Sequence, residues 1–369
     1  MSKRVTLEID LGRLRGNFCR IAHRVAPCQV MAVLKANAYG LGVRPIAEAL
    51  VAAGAARIGV AELHEAMELK EIGVPVQILG GVLHDEIPEA VRNNIILPLT
   101  DLDTAERISQ EAAAQNRTAA CHFLIDTGMG RLGIVVERAV ETILEAKEFA
   151  NLKLEGIYTH FPHAYTGGID YSRSQVDQFR DLLSALEEKG VSFDLIHTAN
   201  SDAVNNLPEA FDSPFNLIRT GLNLYGVFDA EGERSVDVLP VLTLKARLTA
   251  VRQLKAGTTL GYGRTFTLAH DTRIGTIAAG YADGLPLALS NCGSVLIDGV
   301  RCPILGRVSM DYTTIDLSHV PGAQVGDDVL CLGGNGSAAI RVEDWARLKG
   351  THSYDIICSI GSRVERLSR

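Results

Sequence analysis

The sequence predicts an α/β protein, a (β/α)8 TIM-like barrel followed by a C-terminal mostly-β domain. Three observations carry that prediction. Short apolar runs alternate with helical patterns through roughly the first two hundred residues. Eight such runs are counted, the number a closed parallel barrel needs. From about Val236 the helical patterns give way to short alternating runs broken by Gly, Asn, Asp and Pro. The expected division is 1–235 and 236–369; a doubly wound open sheet is the alternative for the first part.

Asp10 is a plausible N-cap for a helix carrying Leu11, Leu14, Phe18, Ile21 and Val25 at helical spacing, with Pro27 ending it. The first strand is expected at 30–34 and leads directly into Lys35. A helix over 44–53 stops at Gly54. Further strands are expected at 57–61, 75–79, 95–97, 119–125, 154–159, 193–198 and 215–219. Between them run helical patterns such as LHEAMELKEIG, DTAERISQEAAAQ, VERAVETILEAKEFA and SQVDQFRDLLSALEEKG. After GVFDAEGERS (226–235) come VLTLKARLTAVRQL, TRIGTIAAG, GSVLIDGV, CPILGRVSM, YTTIDL and DDVLCLGG, read as a compact β domain.

The 369 residues are 47% hydrophobic and 22% charged, an ordinary globular composition. A formal net charge of −8 with no basic stripe argues against a general nucleic-acid binder. No apolar run approaches the roughly 18 residues that span a bilayer. The opening MSKRVTLEID carries Glu8 and Asp10 where a signal peptide needs its apolar core. Seven scattered cysteines without CxxC spacing support neither a zinc site nor a disulfide framework, so a reduced, cytoplasmic enzyme with no metal is expected.

In a barrel the chemistry lies past the carboxyl ends of the strands. Strand one ends at Lys35, in VMAVLKANAYG, a loop that closes with Tyr39 and Gly40. Alone, this lysine reads as a surface residue that ends a strand. Partial desolvation there would lower an amine pKa from about 10.4 and leave it able to attack a carbonyl. Strand five ends in DTGMGRLG (126–133), which presents Arg131. Strand six ends at Tyr158, Thr159 and His160, strand seven in HTANS (197–201), strand eight in IRTGLNLYG with Arg219 and Gly221. Arg219 closes an apolar strand and needs an acceptor, because a guanidinium cannot discharge. Ser201 reads as an N-cap placed to hold a phosphate, and the backbone after Arg219 offers further N–H groups. In the last third, GYGRTF (261–266), GYADG (280–284) and SMDY (309–312) hold tyrosines among glycines, where strand-building does not explain them.

Assembled in order, VLKANAYGLG, DTGMGRLG, YTHF, HTANS, FNLIRTGLNLYG, GYGRTF, GYADGLP, GRVSMD and CSIGSRV resemble the alanine racemases over essentially the whole length. These are enzymes with pyridoxal 5′-phosphate (PLP) on a barrel and a C-terminal β domain. The resemblance implies that Lys35 carries PLP as a Schiff base. It makes Lys35 and Tyr262 the two bases on opposite faces of the substrate carbon. It implies that Arg219 faces the pyridine nitrogen, and that hydrogen bonds through His160 and Arg219 help make the tyrosine acidic enough to serve. Tyr39, Ser201, Gly221 and Leu222 are expected at the phosphate, and Arg131 near the PLP phenolic oxygen and the substrate carboxylate. A homodimer with shared sites is implied, with Tyr262, Tyr281, Met310 and Asp311 supplied by the other subunit.

Two departures stand out. Many members have a carbamate-forming lysine two residues before the DTGMGR aspartate; this chain has Leu124, so Arg131 must be oriented otherwise. The terminal motif has Ser362 before Arg363 and Val364 where the family usually has a tyrosine, which predicts a shortened or lost phosphate contact. The resemblance implies interconversion of L- and D-alanine for cell-wall peptidoglycan, with a serine or broad-specificity amino-acid racemase as the near alternative. A PLP barrel decarboxylase is expected to carry an acid where Arg219 stands. A non-enzymatic PLP carrier would resemble the first domain only.

Overall fold

Buried strands need every peptide group paired, and an eight-stranded parallel sheet meets that need by closing on itself. The computed structural model describes residues 3–165, 167–229, 234–334 and 336–369. The parallel strands Gln29–Val33, Arg57–Val60, Val76–Ile78, Leu97–Leu99, Ala119–Asp126, Leu152–Tyr158, Leu195–His197 and Leu217–Thr220 follow one another round a barrel. Seven lie within a few residues of expectation; the fourth begins where its expected run ends, though Ile96 already bridges to Gln77. Gln29–Val33 pairs with Leu217–Thr220 on one side and Arg57–Val60 on the other, which closes the first strand onto the last. The remaining seam is sewn by Asn216 N–H to Ile196 O and Arg219 N–H to Ala199 O, both 3.0 Å.

The helix Leu11–Val25 forms as its spacing requires. Asp10 accepts from Arg13 N–H at 2.8 Å, and Leu14, Phe18, Ile21 and Val25 are buried. Each such side chain contributes about 1.5–3 kcal/mol on leaving water. Asn17 lies in the same stripe and is satisfied by Leu224 O and Leu239 O, so it fastens the helix to the segments after the last barrel strand.

The second part is built on Leu242–Leu254, thirteen residues long and antiparallel to Thr272–Ile277 and Asp328–Leu332. Val5–Ile9 also pairs antiparallel with it, and Glu365–Ser368 adds parallel to Val5–Ile9. Both ends of the chain therefore meet in the β part, and the N-terminal strand lies across the 235/236 division. Val5, Leu7 and Ile9 are buried while Thr6 and Glu8 are half-buried, the alternation of a strand with one covered face. Part of the GVFDAEGERS segment, residues 230–233, lies outside the described residues. Among the described residues no helix is long and apolar enough to cross a membrane.

Candidate active site

Lys35 follows the first barrel strand, and the backbone after it is unusual. Ala36, Asn37, Ala38 and Tyr39 have φ of 54°, 54°, 53° and 60°, one turn of left-handed helix. Such a turn costs roughly 1–2 kcal/mol per L-residue, so neighbours must hold it. Ala38 N–H bonds Leu34 O at 2.8 Å and Gly42 N–H bonds Asn37 O at 3.1 Å. Asn37 Oδ1 accepts from Val43 N–H at 2.7 Å, and the Glu65 carboxylate takes the N–H groups of Ala36 and Ala61. The turn sends the Tyr39 ring into the core while Lys35 stays in a cavity at the barrel mouth.

That cavity has a volume of about 790 Å³, and Lys35, Tyr39, Arg131, His160, Ser201, Arg219 and Gly221 all line it. Seven of the twelve residues expected from the sequence thus meet in one place. Desolvation lowers the Lys35 amine pKa, the positive charge of Arg131 adds to this, and Glu65 opposes it. Arg131 is carried by a loop whose shape is set by Asp126, which accepts from the N–H groups of Gly128, Met129 and Gly130 at 2.8–3.1 Å. Leu124 lines the cavity too, and among the described residues no side chain bonds the Arg131 guanidinium.

Arg219 is buried, and uncharged partners surround it. Its Nη1 donates to His197 O at 3.1 Å and lies 2.9 Å from His197 Nδ1. Its Nη2 donates to Thr159 O at 2.7 Å and Thr198 O at 3.0 Å, and lies 3.4 Å from His160 Nδ1. Among the described residues no carboxylate pairs with it and no acceptor meets its Nε–H. Burial draws its pKa down to about 10, so it stays cationic at neutral pH. Burial, then the charges of Arg219, Arg131 and Lys35, depress His160 to about 3, so that imidazole is neutral.

On the cavity wall beside Arg219, polar groups converge. Asn200, not Ser201, caps the short helix Ser201–Asn206, its side chain accepting from Ala203 N–H. The cap expected at Ser201 is thereby corrected: a cap needs extended backbone, and Asn200 has it. Ser201 Oγ is freed to accept from Gly221 N–H at 3.0 Å. Leu222 opens the 3-10 turn Leu222–Tyr225, so its N–H has no acceptor within that turn. A methyl on Gly221 would overlap the Tyr39 hydroxyl, which explains the glycine. Tyr354, unremarked in the sequence, also lines the cavity with Ser201, and its ring lies 5.8 Å from that of Tyr39. Ser362, where a shortened or lost phosphate contact is expected, is exposed and lies apart from the cavity. Tyr354 stands eight positions earlier, in SYDIICSIGSRV. The neighbouring Arg363 donates to Asp283 at 2.7 and 2.8 Å and to Asp311 at 2.7 Å, pinning two loops of the β part.

Those loops carry Tyr281, Met310 and Asp311, and a third, 261–266, carries Tyr262; none of these four expected residues lines the cavity. Tyr281 N–H bonds Ser309 O at 3.0 Å and Ala282 N–H bonds Met310 O at 3.1 Å, which joins GYADG to SMDY. Tyr262 shares a shallow depression with Arg307, Ser309 and Tyr312. Tyr262 is 73% exposed, Met310 52% and Tyr281 47%.

Residues 9–229 match the family described as alanine racemase, N-terminal domain, and residues 241–368 match alanine racemase, C-terminal domain. Alanine racemase of Desulforamulus reducens is 39% identical over 373 residues, covering 100% of this chain and 99% of that protein. The enzyme of Syntrophobacter fumaroxidans is 40% identical over 359 residues, 96% and 95% of the two chains. Crystallised alanine racemase from D-cycloserine-producing Streptomyces lavendulae superposes with a TM-score of 0.92 at 34% identity, covering 100% of this chain and 98% of its own. That from Bartonella henselae, with covalently bound pyridoxal phosphate, gives 0.88 at 28% identity, with 100% of each chain covered. A barrel with a β part, full-length likeness to these enzymes and two family matches in order lead to one conclusion: the chain belongs to the alanine racemase family.

Proposed function

We propose that this protein interconverts L- and D-alanine using PLP, with Lys35 and Tyr262 as the two bases and the active site completed by a second copy of the chain. The observation that carries the reading is Arg219, a cation fixed at the cavity wall which, among the described residues, has a free Nε–H and no carboxylate beside it. A barrel decarboxylase needs an acid at that position to keep the pyridine ring protonated.

The residues present fit PLP. Ser201, Tyr39, Tyr354 and the backbone of Gly221 and Leu222 form a polar cradle suited to a phosphate, in which a methyl on Gly221 would strike the Tyr39 hydroxyl. The Arg219 Nε–H suits an unprotonated ring nitrogen. When bound, PLP supplies an electron sink that weakens the bond between an amino acid's Cα and its hydrogen. Lys35, with its amine pKa lowered, holds or gives a proton on one face of that carbon. Tyr262 does so on the other face, helped by the Arg219–His160 contact. Arg131, with no partner among the described residues, is available for the substrate carboxylate.

The barrel, 1–235, holds the cofactor; the β part, 236–369, serves its partner. Exposure of Tyr262, Tyr281 and Met310 and their absence from their own chain's cavity support a homodimer in which these residues, with Asp311, enter the other subunit's site. In a bacterium the reaction would supply D-alanine for peptidoglycan from the cytoplasm. Incubation with single enantiomers of alanine and serine, followed by chiral analysis, tests the reading. Racemised alanine is expected; serine racemising while alanine does not would move the substrate to the serine alternative. Release of CO2 from a basic amino acid would replace the reading with the decarboxylase.

A further inference from the structure

Eight-stranded barrels are ordinarily filled by layers of branched apolar side chains. Part of this interior is polar. His197 Nδ1 lies 2.9 Å from Arg219 Nη1, and His197 Nε2 lies 3.0 Å from His122 Nδ1. His122 Nε2 lies 3.1 Å from Glu155 Oε2, which also accepts from Arg57 Nη1 at 2.8 Å, while Glu155 Oε1 accepts from Lys153 Nζ at 3.0 Å. Both imidazoles are fully buried. The eighth, seventh, fifth and sixth barrel strands contribute in turn, and the second supplies Arg57. Arg57 and Lys153 stand at the amino ends of their strands, opposite the cavity, and the Lys153 side chain is 55% exposed. The column therefore runs from the cavity wall to the far mouth of the barrel.

Its proton arrangement follows from one fact: a guanidinium only donates. His197 Nδ1 must accept from Arg219, which puts the His197 hydrogen on Nε2. His122 Nδ1 must then accept, which puts its hydrogen on Nε2, aimed at a carboxylate. One tautomer assignment satisfies all three contacts and every bond points towards Glu155. Desolvation and then the charge of Arg219 lower the His197 pKa; desolvation lowers that of His122, with the Glu155 bond opposing and Arg57 adding to the fall. Glu155 is held ionised below the usual carboxylate range, first by the His122 bond and then by those from Arg57 and Lys153. The Tyr158 ring stacks on His197 at 4.8 Å and 5°, and fixes its plane.

We propose that His197, His122 and Glu155 are positioning residues, which orient the Arg219 guanidinium through a directed chain of hydrogen bonds while keeping its counter-charge two imidazoles away. A carboxylate placed directly on Arg219 would orient it equally well but would cancel its field in the cavity. The inference rests on the reading that Arg219 meets the PLP ring.

The test uses the PLP-bound enzyme. Side-chain 15N NMR of histidine-labelled wild-type protein is expected to show Nδ1 bare and Nε2 protonated in both His197 and His122. A hydrogen on Nδ1 of either ring, alone or as imidazolium, overturns the chain. Glu155→Gln removes the charge and keeps the shape; it is expected to lower kcat about tenfold, the scale of changes behind a metal-bound histidine, with KM little altered and the absorbance maximum of bound PLP displaced. An unchanged spectrum with kcat within about twofold of wild type would make the column barrel packing and nothing more. Should Glu155→Gln fail to fold, the wild-type tautomers still decide. Wild-type protein that neither takes up PLP nor racemises would overturn the functional reading and the positioning role together, whereas an active wild type with either contrary result removes only the latter.

Discussion

The cavity wall of the barrel and the tyrosine loops of the β part are both rich in glycine and polar residues, yet they are built on opposite plans. At the cavity wall Tyr39, Ser201 and Arg219 are buried, and a left-handed turn after Lys35 is held by neighbours on every side. The β loops are equally ordered, with Arg363 bridging Asp283 and Asp311, but they display Tyr262, Tyr281 and Met310 to solvent. The first region spends its order inward and the second outward. On the proposed function, a site divided so would hold its cofactor with one chain and complete its chemistry only with two.

Substitutions separate the two plans. The largest effect is expected for Lys35→Ala, with racemisation falling at least about 10⁴-fold, the scale of removing a central catalytic group, and the visible absorbance of bound PLP lost. Survival of that absorbance would break the inward half of the comparison. Tyr262→Phe is expected to cost about 10²- to 10³-fold in kcat/KM, equally in both directions because the enantiomers are equally stable, with the absorbance intact. Equal loss of cofactor in both variants would erase the distinction.

Smaller effects sharpen it. Gly221→Ala drives a methyl into the Tyr39 hydroxyl; overpacking of about 1–3 kcal/mol, roughly 5- to 150-fold, is expected in the PLP dissociation constant. Acid tests the cavity through stability. The folded pKa of His160 is about 3, below the roughly 6.5 of an unfolded imidazole. Between these values the unfolded chain binds the extra proton, so stability falls as pH falls below about 6.5, by up to about 1.4 kcal/mol per unit. Urea midpoints from pH 7 to 5 should drop less steeply in His160→Asn; equal slopes would contradict a neutral, desolvated ring. Tyr354→Phe removes one hydroxyl from the cavity wall; a hydrogen bond lost with it, about 0.5–1.5 kcal/mol, should weaken PLP about 2- to 10-fold. Ser362→Ala should leave PLP affinity unchanged.

What the sequence revealed follows the same divide. Barrel strands buried on both faces read as unbroken apolar runs, and polar residues just past their ends brought Lys35, His160, Ser201 and Arg219 to notice. Val5–Ile9 escaped because its partner Leu242–Leu254 is more than two hundred residues away, and no local pattern names a partner. The His122, Glu155 and His197 column has no period, since each residue sits on a different strand and they meet only across the closed barrel. Tyr354 carries no local signal, since a tyrosine near the start of the helix Ser353–Cys358 is an ordinary helical residue until the fold brings it to the barrel mouth.

Subunit mixing tests the shared site most directly. Lys35→Ala and Tyr262→Phe chains, each impaired alone, would be unfolded together, refolded and assayed for alanine racemisation. A mixed dimer with shared sites has one site carrying both lesions and one carrying neither, so about a quarter of wild-type activity is expected after random pairing. Activity no higher than the sum of the two parents would mean that Lys35 and Tyr262 act from the same chain, contrary to this account.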